Sequence, residues 1–446
     1  MDRIKAQPTE GLSYNPSEPK YWEPKGLEQE LTRVFDVCQS CRLCFNLCPS
    51  FPTLFAAVEE HEGDAAALSA AERQEVVDLC YGCKLCEIRC PYTPRDGHEF
   101  QLDFPRLMQR AKALEARQHG VGLRNKLLGD PDKLGKLGSL TPFMANWANN
   151  SRFHRIVMEK LLGIHRDKKL PDFQGETFER WLSSHPLPAA PADPAAKVAL
   201  FHTCFINYND PAPGRAAVAV LSKNQCAIRC PRQNCCGMPA LDGGDVEFAR
   251  KQAQSNIDSL LPLVKEGWQV AVINPTCSLM MRQEYPRLID HDDARALAAA
   301  VVDTHELLYQ LRRVERFNRE FRSTPGAVAY HIPCHLKAQH IGLRARDLMR
   351  LIPGAEITSV DACCAHDGTW AMKKEFFPLS MQWGEKAFSG MRDAQARLMA
   401  TDCPLAALQI EQATGVHPIH PLEVLARAYD PKGFEQAVPP AQAKNP

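Results

Sequence analysis

The sequence has no surplus of either charge: 53 lysines and arginines stand against 53 aspartates and glutamates in 446 residues. No long run of one sign occurs, so the electrostatic footprint of a nucleic-acid binder is missing and nucleic acid is set aside as a partner. An uncharged apolar run of membrane-spanning length is also lacking. The opening stretch MDRIKAQPTEGLSYNPSEPKYWEPKG has neither an apolar leader core nor a twin-arginine pair, and a cytoplasmic protein is the expectation. No G-x-G-x-x-G follows a strand, and there is no Walker A sequence and no G-x-S-x-G elbow. Without a nicotinamide or flavin site the chain cannot split a hydride into single electrons, so a partner is expected to do so.

Cysteine, by contrast, is abundant, with 18 residues. In a reducing compartment clustered thiols serve as metal ligands or catalytic groups rather than as disulfides. Eight lie in CQSCRLCFNLCP, from Cys38 to Pro49, and CYGCKLCEIRCP, from Cys80 to Pro91; both runs read C-x2-C-x2-C-x3-C-P. A cubane cluster needs four converging thiolates, and the x2 spacings let one tight loop supply three. In two-cluster ferredoxins the fourth cysteine of each run ligates the other cluster. By that rule one 4Fe-4S cluster takes Cys38, Cys41, Cys44 and Cys90, and a second takes Cys80, Cys83, Cys86 and Cys48. Structural zinc is the competing reading, but zinc motifs usually arrive as separated C-x2-C pairs.

Composition divides the rest. Residues 1–30 are proline-rich and read as an extended arm anchored by Tyr21 and Trp22. Residues 31–110 form the ferredoxin-like domain, with a helix between the runs capped by Ser69 and Glu72. Residues 111–185 are a helical connector and 186–196 a Pro/Ala linker. Residues 197–310 and 311–430 repeat one another, and 431–446 are a tail. In the first copy KVALFHTC ends at Cys204, Cys235-Cys236 follow, and QVAVINPTC ends at Cys277. In the second GAVAYHIPC ends at Cys334, Cys363-Cys364 follow, and ARLMATDC ends at Cys403. The intervals between these positions are 31 and 41 residues in one copy and 29 and 39 in the other.

Short apolar strands alternating with helical segments imply parallel β-α units whose ligands collect beyond the carboxyl ends of the strands. The expected fold is therefore α+β and α/β: a helical two-cluster ferredoxin-type domain followed by a duplicated β-α cysteine-rich domain. Each copy brings four thiolates into one crevice, which predicts one or two further iron-sulfur clusters, or zinc, on Cys204, Cys235, Cys236 and Cys277 and on Cys334, Cys363, Cys364 and Cys403. Cys226 and Cys230 fall outside the repeat and read as structural, with Cys230 the alternative ligand because CPRQNCC places it near the pair. Among His202, His331, His335, His340 and His366, a direct role is expected first of His331 and His335, against the commoner outcome of hydrogen-bonded structural imidazoles.

The two ferredoxin-type runs, with ALFHTCFINYNDP, NCCGMP, AYHIPCHLK and TDCP, resemble the iron-sulfur C subunits of anaerobic glycerol-3-phosphate dehydrogenases. More distantly they resemble the iron-sulfur subunit of glycolate oxidase and the catalytic chain of heterodisulfide reductase. The resemblance covers residues 30 to 428. It implies an electron-transfer subunit that takes electrons from a flavoprotein dehydrogenase, or another redox protein, and passes them towards quinone. It also implies a cysteine-rich unit of lone Cys, Cys-Cys-Gly and Cys-x-x-Cys. Here Met280 stands at the last position of the first unit, and Ala365 and Ala406 depart from the pattern in the second. Neither unit is therefore expected to cleave disulfides. Three rivals are a thiol or heterodisulfide-type reductase, a soluble carrier supplying a rubrerythrin-like peroxidase, and a non-redox reading with zinc in the cysteine-rich units and a mainly structural role there.

One further segment bears on location. Phe153, Ile156, Val157, Leu161 and Ile164 share a helical face surrounded by Arg152, Arg155, Lys160, Arg166, Lys168 and Lys169. Such a helix lies on an anionic membrane, giving peripheral association at the inner face, or docks a partner, or, as is commoner, packs on the chain's own domains.

Overall fold

The computed structural model describes residues 6–366 and 368–435; residues 1–5 of the expected arm and 436–446 of the expected tail lie outside them. Among the described residues seven strands form two parallel sheets. In the first, β1 (Lys197–Phe201) is flanked by β2 (Ala227–Arg229) and β3 (Gln269–Val272), with β4 (Val301–Asp303) beyond β3. In the second, β5 (Ala327–His331) lies between β6 (Glu356–Val360) and β7 (Leu398–Thr401). The centres of β1 and β5 are wholly buried, as parallel strands covered by helices on both faces must be.

The repeat explains itself in this arrangement. The lone cysteine follows the central strand, the Cys-Cys pair follows one neighbour, and the last cysteine follows the other. All three positions lie at the carboxyl ends of adjacent strands.

The two units are fused through one core. Val198, Leu200 and Ile273 of the first sheet's region pack in the same cluster as Val328, Tyr330 and Ala400 of the second. The helix Pro421–Tyr429, at the end of the second unit, returns to pack on Ala212–Lys223 of the first.

The helix Pro24–Cys41 begins six residues before the end of the stretch expected to be extended, because Pro24 suits the first helical turn and Leu27, Leu31, Val34 and Phe35 supply a buried face. Before it the arm is held by Arg110, whose guanidinium donates to the carbonyls of Tyr21, Gly11 and Lys20 at 2.6–2.7 Å. Gly11 and Gly26 meet so closely that a Cβ on Gly11 would fall 2.4 Å from the Gly26 Cα. Ser69 and Glu72 form the expected capping box of the helix Ala70–Leu79.

Among the described residues no helix is long and apolar enough to cross a membrane.

Candidate metal centres

Both ferredoxin-type runs fold alike. Arg42 and Lys84, each directly after the second cysteine of its run, adopt left-handed backbone with φ of 53° and 59°. That turn swings the third cysteine back towards the first two. Cys48 and Cys90 then leave their runs, each followed by proline.

The thiols gather across the runs. Burial pushes Cys38 well above its ordinary value, and the charges of Cys44, Cys90 and Cys41 push the same way. Cys44 is raised to about 12 by burial, then by Cys90 and Cys41. Burial likewise raises Cys86, and the charges of Cys48 and Cys80, then of Cys44, push the same way. Each fourth cysteine thus sits with the opposite run.

Mutual repulsion of this kind is what a cationic metal core relieves, since it binds thiolate and stabilises four of them together. The donor set fits an iron-sulfur cluster on that ground. Among the described residues no three His, Cys, Asp or Glu side chains converge as a compact group around a single ion.

The cysteine-rich units share one cavity of about 320 Å³. Cys204, Cys235, Cys236 and Cys277 line it from the first sheet, and Cys334, Cys363, Cys364 and Cys403 from the second. In each pair the first sulfur is an acceptor: the Gly237 N–H points at Cys235 Sγ at 3.5 Å, and the Ala365 N–H at Cys363 Sγ at 3.3 Å. Hydrogen bonds from Cys204, Cys236 and Gly237 hold Cys235 well below the ordinary thiol range. For Cys363 a hydrogen bond from Cys83 does most, with help from Ala365 and Tyr81, and the thiol falls to about 6. The donors Cys204, Cys236 and Cys83 are correspondingly raised well above the ordinary thiol range, so these buried thiols share their protons.

The turns are braced from behind. Asn256 Nδ2 donates to the Cys235 carbonyl at 3.2 Å and the Tyr285 hydroxyl to that of Cys236 at 3.1 Å. Gly237 has φ of 93°, and a Cβ there would stand 3.2 Å from the Ala249 carbonyl oxygen. Ala365 occupies the same place in the second unit with φ of 52°, a left-handed conformation that alanine adopts at a cost of roughly 1 kcal/mol.

The fifth positions differ. Met280 is fully buried in the same apolar cluster as Cys235, Cys236 and Cys277 without lining the cavity, whereas Ala406 lines it. Cys226 and Cys230 do not line the cavity; their sulfurs face the carbonyls of Asn224 and Leu200.

Most of the histidines are spoken for. His331 is tied to Thr401 Oγ1 at 3.0 Å and the Ala362 carbonyl at 3.1 Å, and His335 to Thr276 Oγ1 and the Gly82 carbonyl. Burial lowers both to about 4, so they are neutral. His340 pairs with Arg95, and His202 Nδ1 with the Thr203 carbonyl. His366 is buried at the cavity with neither ring nitrogen hydrogen-bonded. The precedence given to His331 and His335 thus lacks a free ring nitrogen to support it.

Asp132 escaped sequence reasoning: on the connector helix Pro131–Leu140 and in no recognisable motif, it accepts the Cys235 N–H at 2.5 Å. Lys168, expected in the basic ring of the connector helix, is instead buried near Cys364.

The ferredoxin-type domain abuts the second unit. The Tyr81 hydroxyl lies 3.6 Å from Cys363 Sγ, the Tyr81 ring packs on Trp370, and the Trp370 indole donates to the Asp78 carbonyl. Cys83 is raised first by its hydrogen bond to Cys363, then by burial and by the charges of Cys363, Cys334 and Cys48.

Comparison with known proteins agrees with this geometry. Residues 37–93 match a 4Fe-4S dicluster domain, and residues 198–282 and 328–411 each match the cysteine-rich domain. Lactate utilization protein A of Geobacillus kaustophilus is 28% identical over 219 residues, 46% of this chain and 87% of that protein. The C subunit of the anaerobic glycerol-3-phosphate dehydrogenase of Escherichia coli is 33% identical over 327 residues, 72% of this chain and 81% of that protein. With both cluster-type domains in register and that extent of identity, the chain belongs to the family of anaerobic glycerol-3-phosphate dehydrogenase C subunits.

Proposed function

We propose that this chain is the iron-sulfur electron-transfer subunit of a dehydrogenase complex, receiving electrons from a flavoprotein partner and passing them towards quinone. The observation that carries the reading is the continuous succession of thiol groups: two cross-paired quartets, then Cys83 beside Cys363, then the cavity shared by both cysteine-rich units.

Two 4Fe-4S clusters on Cys38, Cys41, Cys44 and Cys90 and on Cys48, Cys80, Cys83 and Cys86, with further centres on the two cysteine-rich quartets, would supply one-electron carriers. The chain's own residues hold thiolates, exclude water and fix spacing. Tyr81 and Trp370 close the junction between the second quartet and Cys363, so electrons enter the cysteine-rich domain at its second unit. The partner divides the hydride, since no nucleotide motif is available here.

The purified, oxidised chain is accordingly expected to keep its visible absorbance when NADH is added, and to bleach when a reduced flavoprotein dehydrogenase is supplied. Rapid bleaching by NADH alone would sink the subunit reading. Turnover of a small disulfide by the same preparation would favour the reductase instead.

The connector supplies the membrane side. Phe143, Met144, Trp147, Phe153 and Leu161 are exposed on the successive helices Pro142–Asn150 and Arg152–Leu162, Phe143 to 84%. Ile164 is buried instead, and Arg155 and Lys168 are too: the Arg155 guanidinium donates to the carbonyls of His165, Arg166 and Lys168. The expected basic ring is thereby reduced, while the apolar face widens. Our reading is that this face rests on the lipid surface with Arg152 and Lys160 beside it. Phe143→Ser with Trp147→Ser should abolish flotation with anionic liposomes, and Arg152→Glu with Lys160→Glu should make residual binding insensitive to salt. Unchanged flotation of the apolar double variant would reject the membrane reading.

A further inference from the structure

Lys168 is buried with no carboxylate paired to it among the described residues. Its Nζ donates to Gln409 Oε1 and lies 5.9 Å from the centroid of the Phe377 ring. The acid whose charge acts on it is the Cys364 thiol, while Arg155 repels it from elsewhere. Gln409 is not free to turn away: its Nε2 donates to Ser380 Oγ at 2.7 Å, and Ser380 Oγ donates to the Ala365 carbonyl at 2.7 Å. The ammonium is thus fastened to the Cys363-Cys364 turn.

A buried ammonium with only a neutral partner is unfavourable, because the desolvation of several kcal/mol per ion is not repaid, and burial brings Lys168 down to about 7. A thiolate-bound centre of net negative charge supplies the missing counter-charge. The first unit has an acid at its own pair: Asp132 receives the Cys235 N–H, and burial, then the Cys235 charge, raises its carboxyl to about 7. Duplication has given two similar thiol quartets, and the connector has placed a cation by one and a carboxylate by the other.

We propose that the two cysteine-rich units hold metal centres of unequal reduction potential, Lys168 raising that of the second unit and Asp132 lowering that of the first. This rests on the reading that both quartets bind redox metal centres. Reduction adds one electron, and so one negative charge, without making or breaking a bond. A fixed cation nearby stabilises the reduced state and a carboxylate destabilises it, with little screening in a dry interior. Lys168 and Asp132 are positioning residues for charge, and neither is a ligand. Electrons arriving at the second unit from the Cys83 side are held there more firmly than at the first.

The test is a potentiometric titration followed by EPR on the full-length chain, prepared anaerobically, reduced with dithionite through mediators, and assayed for iron and zinc. Cys236→Ser and Cys364→Ser assign the signals to the units. Lys168→Met should reduce the second unit's reduced-to-oxidised ratio about tenfold at fixed potential, about 59 mV for a one-electron couple, and leave the first unit unmoved. Lys168→Arg, which keeps the charge, should keep the midpoint. Asp132→Asn, which can still accept the Cys235 N–H, should raise the first unit's midpoint alone, and it carries the test if Lys168→Met does not accumulate. Unmoved midpoints with full iron content, or the same fall in Lys168→Arg as in Lys168→Met, overturn the inference. Zinc in both wild-type units would instead overturn the metal assignment beneath it.

Discussion

Serine at Cys90 is expected to remove the same 4Fe-4S signal as serine at Cys44, although the two belong to different runs. Iron should fall from about eight to about four atoms in the ferredoxin-type domain in either variant, and the signal carried through Cys48, Cys80, Cys83 and Cys86 should survive. The reason is spatial: Cys90 bears on Cys38 and Cys44, and Cys48 bears on Cys86. Redox-titrated EPR with iron analysis decides it. Loss of the second signal, rather than the first, in Cys90→Ser would mean that each run serves its own cluster.

Glu284→Gln is expected to destabilise the junction between the ferredoxin-type domain and the first cysteine-rich unit by about 3–5 kcal/mol. Lys84 Nζ lies 2.5 Å and Arg106 Nη2 3.2 Å from Glu284 Oε1, and all three side chains are buried or nearly so. Removing the carboxylate strands the Lys84 ammonium, while Arg106 keeps Asp103 at 2.6 Å. Replacing Lys84 and Glu284 together by methionine should cost much less than the single change, because no lone charge is left at that pair. Denaturant titration of the loaded protein, with limited proteolysis to locate the opening, measures both. A double variant as weak as the single one would show that packing, and not charge, matters here.

The same carboxylate gives a pH dependence. Burial alone would raise its pKa, but the charges of Lys84, Arg106 and Arg287 prevail and hold it well below the ordinary value of 4.5. A depressed folded value contributes stability above the unfolded pKa and loses it as pH falls through the folded one. The junction should therefore weaken progressively below about pH 4.5 and be indifferent to mild alkali. In Glu284→Gln this acid dependence should largely vanish.

How much was legible beforehand depended on whether a feature was local. Two runs of C-x2-C-x2-C-x3-C-P carry their chemistry in their spacing, because a tight loop presents three thiols by itself and proline ends the turn. The repeat was readable for a similar reason: apolar strands of four or five residues, buried on both faces, stand out against the helices between them, and a cysteine directly after such a strand must lie at the sheet's carboxyl edge. Those patterns determined, without any fold, that the chain holds iron-sulfur thiolates and that a duplicated parallel-sheet domain follows.

The rest was decided by contacts between residues far apart in the chain. That the two units open onto one cavity follows from a core shared by Leu200 and Tyr330 and from the return of the helix Pro421–Tyr429. That the second unit adjoins the ferredoxin-type clusters follows from Tyr81 meeting Cys363 across 282 residues. Sequence could place the basic residues of the connector on a helix, but only packing buried Arg155 and Lys168 and left Phe143 and Trp147 outside. Spacing along a chain encodes which thiols share a loop; which charge is buried beside them depends on the whole interior, and that is settled only when every segment has found its neighbours.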